Sequence, residues 1–206
     1  MSMMKTFLAA VFLAALPSLA SAESQFATNN VTPLTTSSQL DFKIEIPKVL
    51  FLRIGAGADN TTNANVNLIA FNVNAANVGD GSVVAASAAS GDLGSGAVTA
   101  KVVGNNGTIT FTSTTSGALQ NGSGDSISHG QIATTVATLT SIAALAHPAL
   151  VDGVTTTISL TPTTGKIINR DARWTFSYLN QNAVAPGIYG GVNTNNSRVT
   201  YTASMP

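Results

Sequence analysis

The sequence predicts an all-β protein, an antiparallel Ig-like β-sandwich. Two observations point there. Short runs with apolar residues at every second position recur along the chain, which is the period of a strand with one buried face. Clusters of Gly, Asn, Asp and Pro separate them as turns, giving about eight strands in all.

The first two dozen residues stand apart from the fold. Lys5, the apolar run Phe7 to Leu16 and the small-x-small site Ala20-Ser21-Ala22 read as a secretory signal peptide over residues 1–22. That run is shorter than the roughly 20 apolar residues a membrane span needs. No later stretch is long enough to anchor the chain, so no membrane insertion is expected after cleavage. Residues 23–38 are polar, with Pro33 inside, and read as a flexible leader. Residues 39–206 are expected to form one sandwich domain.

Leu40, Phe42, Ile44 and Ile46 alternate with Asp41, Lys43 and Glu45, so a strand here is apolar on one face and charged on the other. Pro47 has no amide hydrogen to donate and ends it. Val49 to Ile54 continues as a second apolar strand. Residues 55–60 are turn chemistry, and Val66 to Asn72, apolar on both parities, reads as a strand buried on both sides. The Gly-rich stretch 75–96 shows no helical capping pattern and reads as a loop holding a short strand at Val83-Val84. Ala97 to Val103 and Thr108 to Ser113 flank Asn-Asn-Gly, the signature of a hairpin. Residues 116–130 form another loop.

Ile132 to Ile142 reads as a long strand, Ala143 to Ala146 as one helical turn stopped by Pro148, and Val154 to Leu160 as a strand opened by the turn Asp152-Gly153. Trp174, Phe176 and Tyr178 alternate with polar residues and are expected in the core. Beyond them, Ile188 to Val192 follows the turn Ala185-Pro186-Gly187, and Val199, Tyr201, Ala203 and Met205 form a last alternating strand. The expected core is Phe42, Phe51, Phe71, Phe111, Trp174, Phe176 and Tyr201.

Composition excludes several function classes. There is no cysteine, hence no disulfide scaffold. Nine basic and nine acidic residues cancel, which removes electrostatic attraction to nucleic acid or an anionic membrane. Charged residues are only 9% of the chain, so repulsion between copies is weak and assembly is favoured. His129 and His147 are the only histidines; their separation lacks metal-site spacing, even with Asp125 and Asp152 nearby, and they read as loop residues with no ligand role. The Gly-rich pieces at 79–82 and 121–125 lack the strand–loop–helix unit of a phosphate cradle. No nucleophile elbow or other catalytic constellation occurs, so no catalytic residue, cofactor or metal ligand is assigned and the chain is not expected to be an enzyme. Asn-x-Ser/Thr triplets such as Asn60-Thr61-Thr62 are ordinary in so Asn- and Thr-rich a chain. Thr-x-Thr runs, Thr108-Ile109-Thr110 and Thr155-Thr156-Thr157, are compatible with an outward hydroxyl array for ice or polysaccharide; threonine's general strand preference is the simpler account.

The strands at the two ends of the folded region are natural edges, which invite pairing with other chains. On the residues alone, the simpler reading is that each closes its own sandwich. The run IEIPKVLFLRIG and the closing segments VAPGIYGGV and RVTYTASM, together with the signal peptide and β-rich middle, resemble chaperone–usher fimbrial subunits, especially the cysteine-free colonisation-factor-like class. The resemblance lies in pattern, at both ends of the mature chain. It departs from the family in lacking the intradomain cysteine pair and an aromatic next to the C-terminus, and in placing the donor stretch well inside the mature chain.

That resemblance implies a sandwich lacking one strand, lent transiently by a periplasmic chaperone and then by the next subunit. Leu40, Phe42, Ile44 and Ile46 would be the donated side chains; Val199, Tyr201, Ala203 and Met205 would line the accepting edge. It further implies a homopolymer of identical subunits, an outer-membrane usher, passage through the periplasm and a cell-surface fibre serving adhesion or biofilm formation. The rival class is a self-contained secreted sandwich that binds carbohydrate or another surface.

Overall fold

A computed structural model describes residues 24–30 and 33–206. The expected signal peptide lies outside the described residues, as do Glu23, Val31 and Thr32 of the leader. The chain divides into a unit ending at Ile46 and a compact unit, Pro47–Pro206. In the first, the described residues form neither helix nor strand.

The second unit is all-β. Its ten strands are β1 (Leu50–Ile54), β2 (Val84–Ala85), β3 (Ala97–Gly104), β4 (Ile109–Thr115), β5 (Leu119–Gln120), β6 (Ser126–Ile127), β7 (Ile132–Ala137), β8 (Thr155–Leu160), β9 (Ile168–Tyr178) and β10 (Val199–Ser204). All strand pairs are antiparallel. The long strand β9 organises a five-stranded sheet. Its residues 173–175 pair with both β3 and β7, which therefore flank it on opposite sides; β2 pairs at 177–178, also opposite β7, and so continues the β3 side. β1 joins beyond β3. A three-stranded sheet runs β10-β4-β8, and β5 with β6 makes a small separate ribbon.

The inner faces of the two larger sheets meet in one core. Trp174 and Phe176 of β9, Val102 of β3, Phe111 and Ile109 of β4, and Leu160 of β8 are buried there. Each lies on the parity that the alternation assigns to the apolar face. Burial of each large side chain is worth about 1.5–3 kcal/mol, which lets the sandwich stand without disulfides.

Asn-Asn-Gly at 105–107 does not make a hairpin. β3 has its edges on β1 and β9, and β4 has its edges on β8 and β10, so the two strands lie in different sheets. The turn is an arch from one sheet to the other. Alternation is satisfied equally by strands paired edge to edge and by strands facing each other across a core, and only the packing chooses. Gly104 is needed at the corner, because a Cβ there would come within 2.8 Å of Ile109 Cδ1 and 3.2 Å of Met205 Sδ.

Other expectations are corrected. Residues 66–72 form no continuous strand; Phe71 alone bridges Ala86, while Val66 and Leu68 are exposed. β7 stops at Ala137, and Ala143–Ala146 is not helical: Ala144 bridges Asp171 in parallel and Leu145 is fully buried. Ile188–Val192 is not a strand, and its two aliphatic ends are exposed. Phe42 is exposed rather than in the core, Phe71 is half-buried at the core's margin, and Phe51 is half-buried on the same side of β1 as Arg53, opposite the core-packed Leu52 and Ile54. By contrast the turn at 193–196 holds, with Asn193, Asn195 and Asn196 in the left-handed region that asparagine tolerates.

The crossing segment 138–154 joins the five-stranded sheet to the three-stranded one and is fastened by Asp171. This carboxylate accepts hydrogen bonds from Thr140 N (2.9 Å), Ser141 N (2.9 Å), Ser141 Oγ (2.9 Å) and the Thr140 hydroxyl. Burial alone would raise its pKa, but these bonds outweigh burial and hold it well below the usual carboxylate range. Asp171→Ala removes the shared acceptor of four donors on exposed Thr140 and half-buried Ser141 and is expected to cost about 2 kcal/mol, read as a lowered urea midpoint with unchanged slope. A midpoint within error of wild type would show that the segment is held by packing alone.

Candidate assembly site

The residues singled out as donor and acceptor sit in very different surroundings. Leu40, Phe42, Ile44 and Ile46 are 73%, 84%, 83% and 77% exposed. The segment forms no strand, contrary to its alternating pattern, because an isolated strand has no ladder to satisfy its backbone. Lys43 Nζ lies 3.5 Å from the Glu45 carboxylate. So exposed a pair adds little stability, and the four large apolar groups beside it remain in water.

Val199, Tyr201, Ala203 and Met205 alternate inward on and just after β10, where the last three pack against the core yet stay half-buried. β10 uses one edge to pair with β4; among the described residues no strand pairs its other edge. β1 is likewise the edge of its own sheet and runs close to β10. The two edge strands thus approach each other along a seam on one side of the sandwich, and among the described residues no further strand pairs with either.

The start of β1 is pinned beside the chain's end. Asn105 accepts from Val49 N at 2.8 Å and donates its side-chain amide to Pro47 O at 2.8 Å, while Lys48 Nζ reaches Pro206 O at 3.1 Å. Pro47 therefore begins the ordered sandwich at the pole where β10 ends. The proline reads as the end of a strand over residues 40–46, which does not form, and the clamp by Asn105, 58 residues away, is not legible in the chain.

Beneath β10 lies an aromatic cluster. Tyr201 stacks on Phe111 with ring centroids 6.1 Å apart, and Trp174 lies 5.5 Å from Tyr201. Trp174 donates its indole N–H to Leu145 O at 2.7 Å. His147, expected in a loop, is packed edge-on against Trp174 at 4.6 Å, and its Nε2 is hydrogen-bonded to the Tyr201 hydroxyl at 2.7 Å. Nothing in its local sequence signalled this.

Burial depresses the His147 pKa from 6.5 to about 4. The unfolded chain therefore takes up the proton first, so stability present above pH 6.5 is lost as pH falls toward 4. Between pH 7 and 4.5 the wild type is expected to lose about 2–3 kcal/mol more than His147→Phe, which cannot titrate. Urea titrations of both proteins at the two pH values check this; parallel losses would clear His147 of the effect.

His129 is also buried, its Nδ1 3.2 Å from Asp152 Oδ1 and its Nε2 without a partner. No third acid or metal-binding side chain joins them, and the described residues hold no cluster of three or more potential metal ligands. Asp125 instead accepts from Asn121 within its own loop, at 2.8 Å. No family model, curated protein or solved structure matches this chain. The functional reading therefore rests on the arm and the seam.

Proposed function

We propose that this chain is the structural subunit of an exported surface fibre, in which residues 40–46 of one copy complete the sandwich of the next. The observation that carries the reading is the arm: four large alternating side chains left in water in a segment without a strand partner. Burying them in a neighbour is worth roughly 6–12 kcal/mol before the cost of ordering the arm. The acceptor is the unpaired edge of β10 beside β1, where half-buried Tyr201, Ala203 and Met205 await a cover. Main-chain pairing at such an edge supplies affinity, and alternate side chains supply register. Because donor and acceptor are different surfaces, the contact is head-to-tail and does not close, so it propagates as a fibre of identical subunits. The resemblance to chaperone–usher subunits supports the same reading, with a periplasmic chaperone and an outer-membrane usher as assembly partners and adhesion or biofilm formation as the role.

The test supplies the strand in trans. A variant lacking residues 23–46 is mixed with a synthetic peptide of residues 38–47. Co-elution on gel filtration and a raised melting temperature are expected, and the same peptide carrying Ile44→Asp should do neither. Absence of binding by the native peptide would sink the proposal.

A further inference from the structure

The outer face of the three-stranded sheet carries a feature the fibre reading does not use. Across its centre, Thr202 of β10, Thr112 of β4 and Thr157 of β8 lie side by side in register. The row on one side is Thr200, Thr114 and Thr155, and that on the other is Ser204, Thr110 and Ser159. All nine outward positions of the sheet are hydroxyl residues, spaced about 4.8 Å across the strands and about 6.7 Å along them. None is charged and none is aromatic.

Overall composition does not account for this. The outer face of the five-stranded sheet, built from the same chain, carries Arg53, Lys101 and Arg173 in its rows. Nor are the hydroxyls used internally. On the inner side of the three-stranded sheet, Ser113, Thr115 and Thr156 each bond a carbonyl of the crossing segment. On the outer side, Thr114 and Thr155 share one bond at 2.8 Å and Thr112 leans on Thr202 O at 3.5 Å. The remaining six hydroxyls bond no group among the described residues.

The chemistry narrows the occupant. Three paired strands that present only short hydroxyl side chains make an open face rather than the enclosed cleft that holds a small ligand. Zero charge gives no purchase on a nucleic acid or an anionic glycan. The lack of an aromatic platform removes the stacking surface on which a sugar ring is held. What remains is a surface that is itself neutral, extended and periodic, and that offers donors and acceptors at a spacing of a few ångströms. Ice is such a surface. A threonine lattice suits it doubly, since the methyl groups restrict the orientation of first-layer water while the hydroxyls bond to it, and many weak contacts engage together. We propose that the outer face of the β10-β4-β8 sheet is an ice-binding surface, independent of whether the chain polymerises.

The experiment grows ice slowly from a dilute solution of the whole mature chain and measures the protein taken into the ice relative to a co-dissolved inert protein. Enrichment of several-fold is expected for wild type. Thr112→Lys and Thr202→Lys, one on the central strand and one on the edge, should fall to the level of the inert protein while keeping the wild-type melting temperature. Thr135→Lys, on the outer face of the five-stranded sheet, should partition as wild type. Thr157→Lys replaces either grid variant that fails to fold. Exclusion of the wild type from ice overturns the proposal, as does undiminished partitioning of the folded grid variants. Binding to insoluble cellulose that depends on the same threonines, without uptake into ice, overturns it in favour of a neutral polysaccharide.

Discussion

Removing residues 23–46 is expected to turn a preparation that runs as a ladder in unboiled electrophoresis into one monomer band with an unchanged β-rich circular dichroism spectrum. The core explains why the fold should survive. Phe111, Trp174, Val102 and Leu160 are buried among strands that all begin after Pro47, and Leu40, Phe42, Ile44 and Ile46 belong to none of those strands. The energetics explain why the ladder should vanish. A donated strand gains the transfer of four side chains plus a row of edge hydrogen bonds, and without it the β10 edge has nothing to pair with. Ile44→Asp gives the same outcome by a different route, since an unpaired carboxylate entering an apolar seam costs several kcal/mol. If the wild type is a stable monomer and the deletion unfolds it, the segment belongs to its own domain and the fibre reading fails.

Trp174→Ala is expected to lower the stability of the sandwich by about 4 kcal/mol, the middle of the range for deleting a large buried aromatic. Trp174 is fully buried on the strand that pairs with β2, β3 and β7, so its loss opens a cavity at the most connected point of the fold. The edge contact to His147 at 4.6 Å and the centroid contacts to Tyr201 and Phe111 go with it. The Leu145 carbonyl loses its indole donor and is left buried and unpaired, a further penalty that Trp174→Phe isolates at about 1–3 kcal/mol. Both variants are read by urea unfolding at pH 7. A Trp174→Phe midpoint equal to wild type would show that the indole bond adds nothing net.

Some of this was visible in the chain itself. The alternation Trp174-x-Phe176-x-Tyr178 placed three aromatics on the buried face of β9, and the same rule placed Tyr201, Phe111 and Ile109 inward. These assignments are local: a strand's side chains alternate whatever it pairs with. The turns at Asp152-Gly153 and Asn193–Asn196 follow for the same reason, since they depend on the backbone freedom of the residues within them.

The sequence by itself therefore determined the fold class and the inward set of most strands. Only the tertiary structure decided which edges meet. Whether Asn-Asn-Gly joins paired strands or arches between sheets depends on β9 and β1 claiming both edges of β3. Residues 40–46 have the composition of a strand and form none, because strand formation needs a second chain segment that alternation cannot name. His147 became a buried partner of Tyr201 through a contact 54 residues away, invisible to any local pattern. The threonines were plain in the chain as scattered Thr-x-Thr runs; their alignment into three rows came from the registers of β4 with β8 and β10, set by long-range packing of the opposite face.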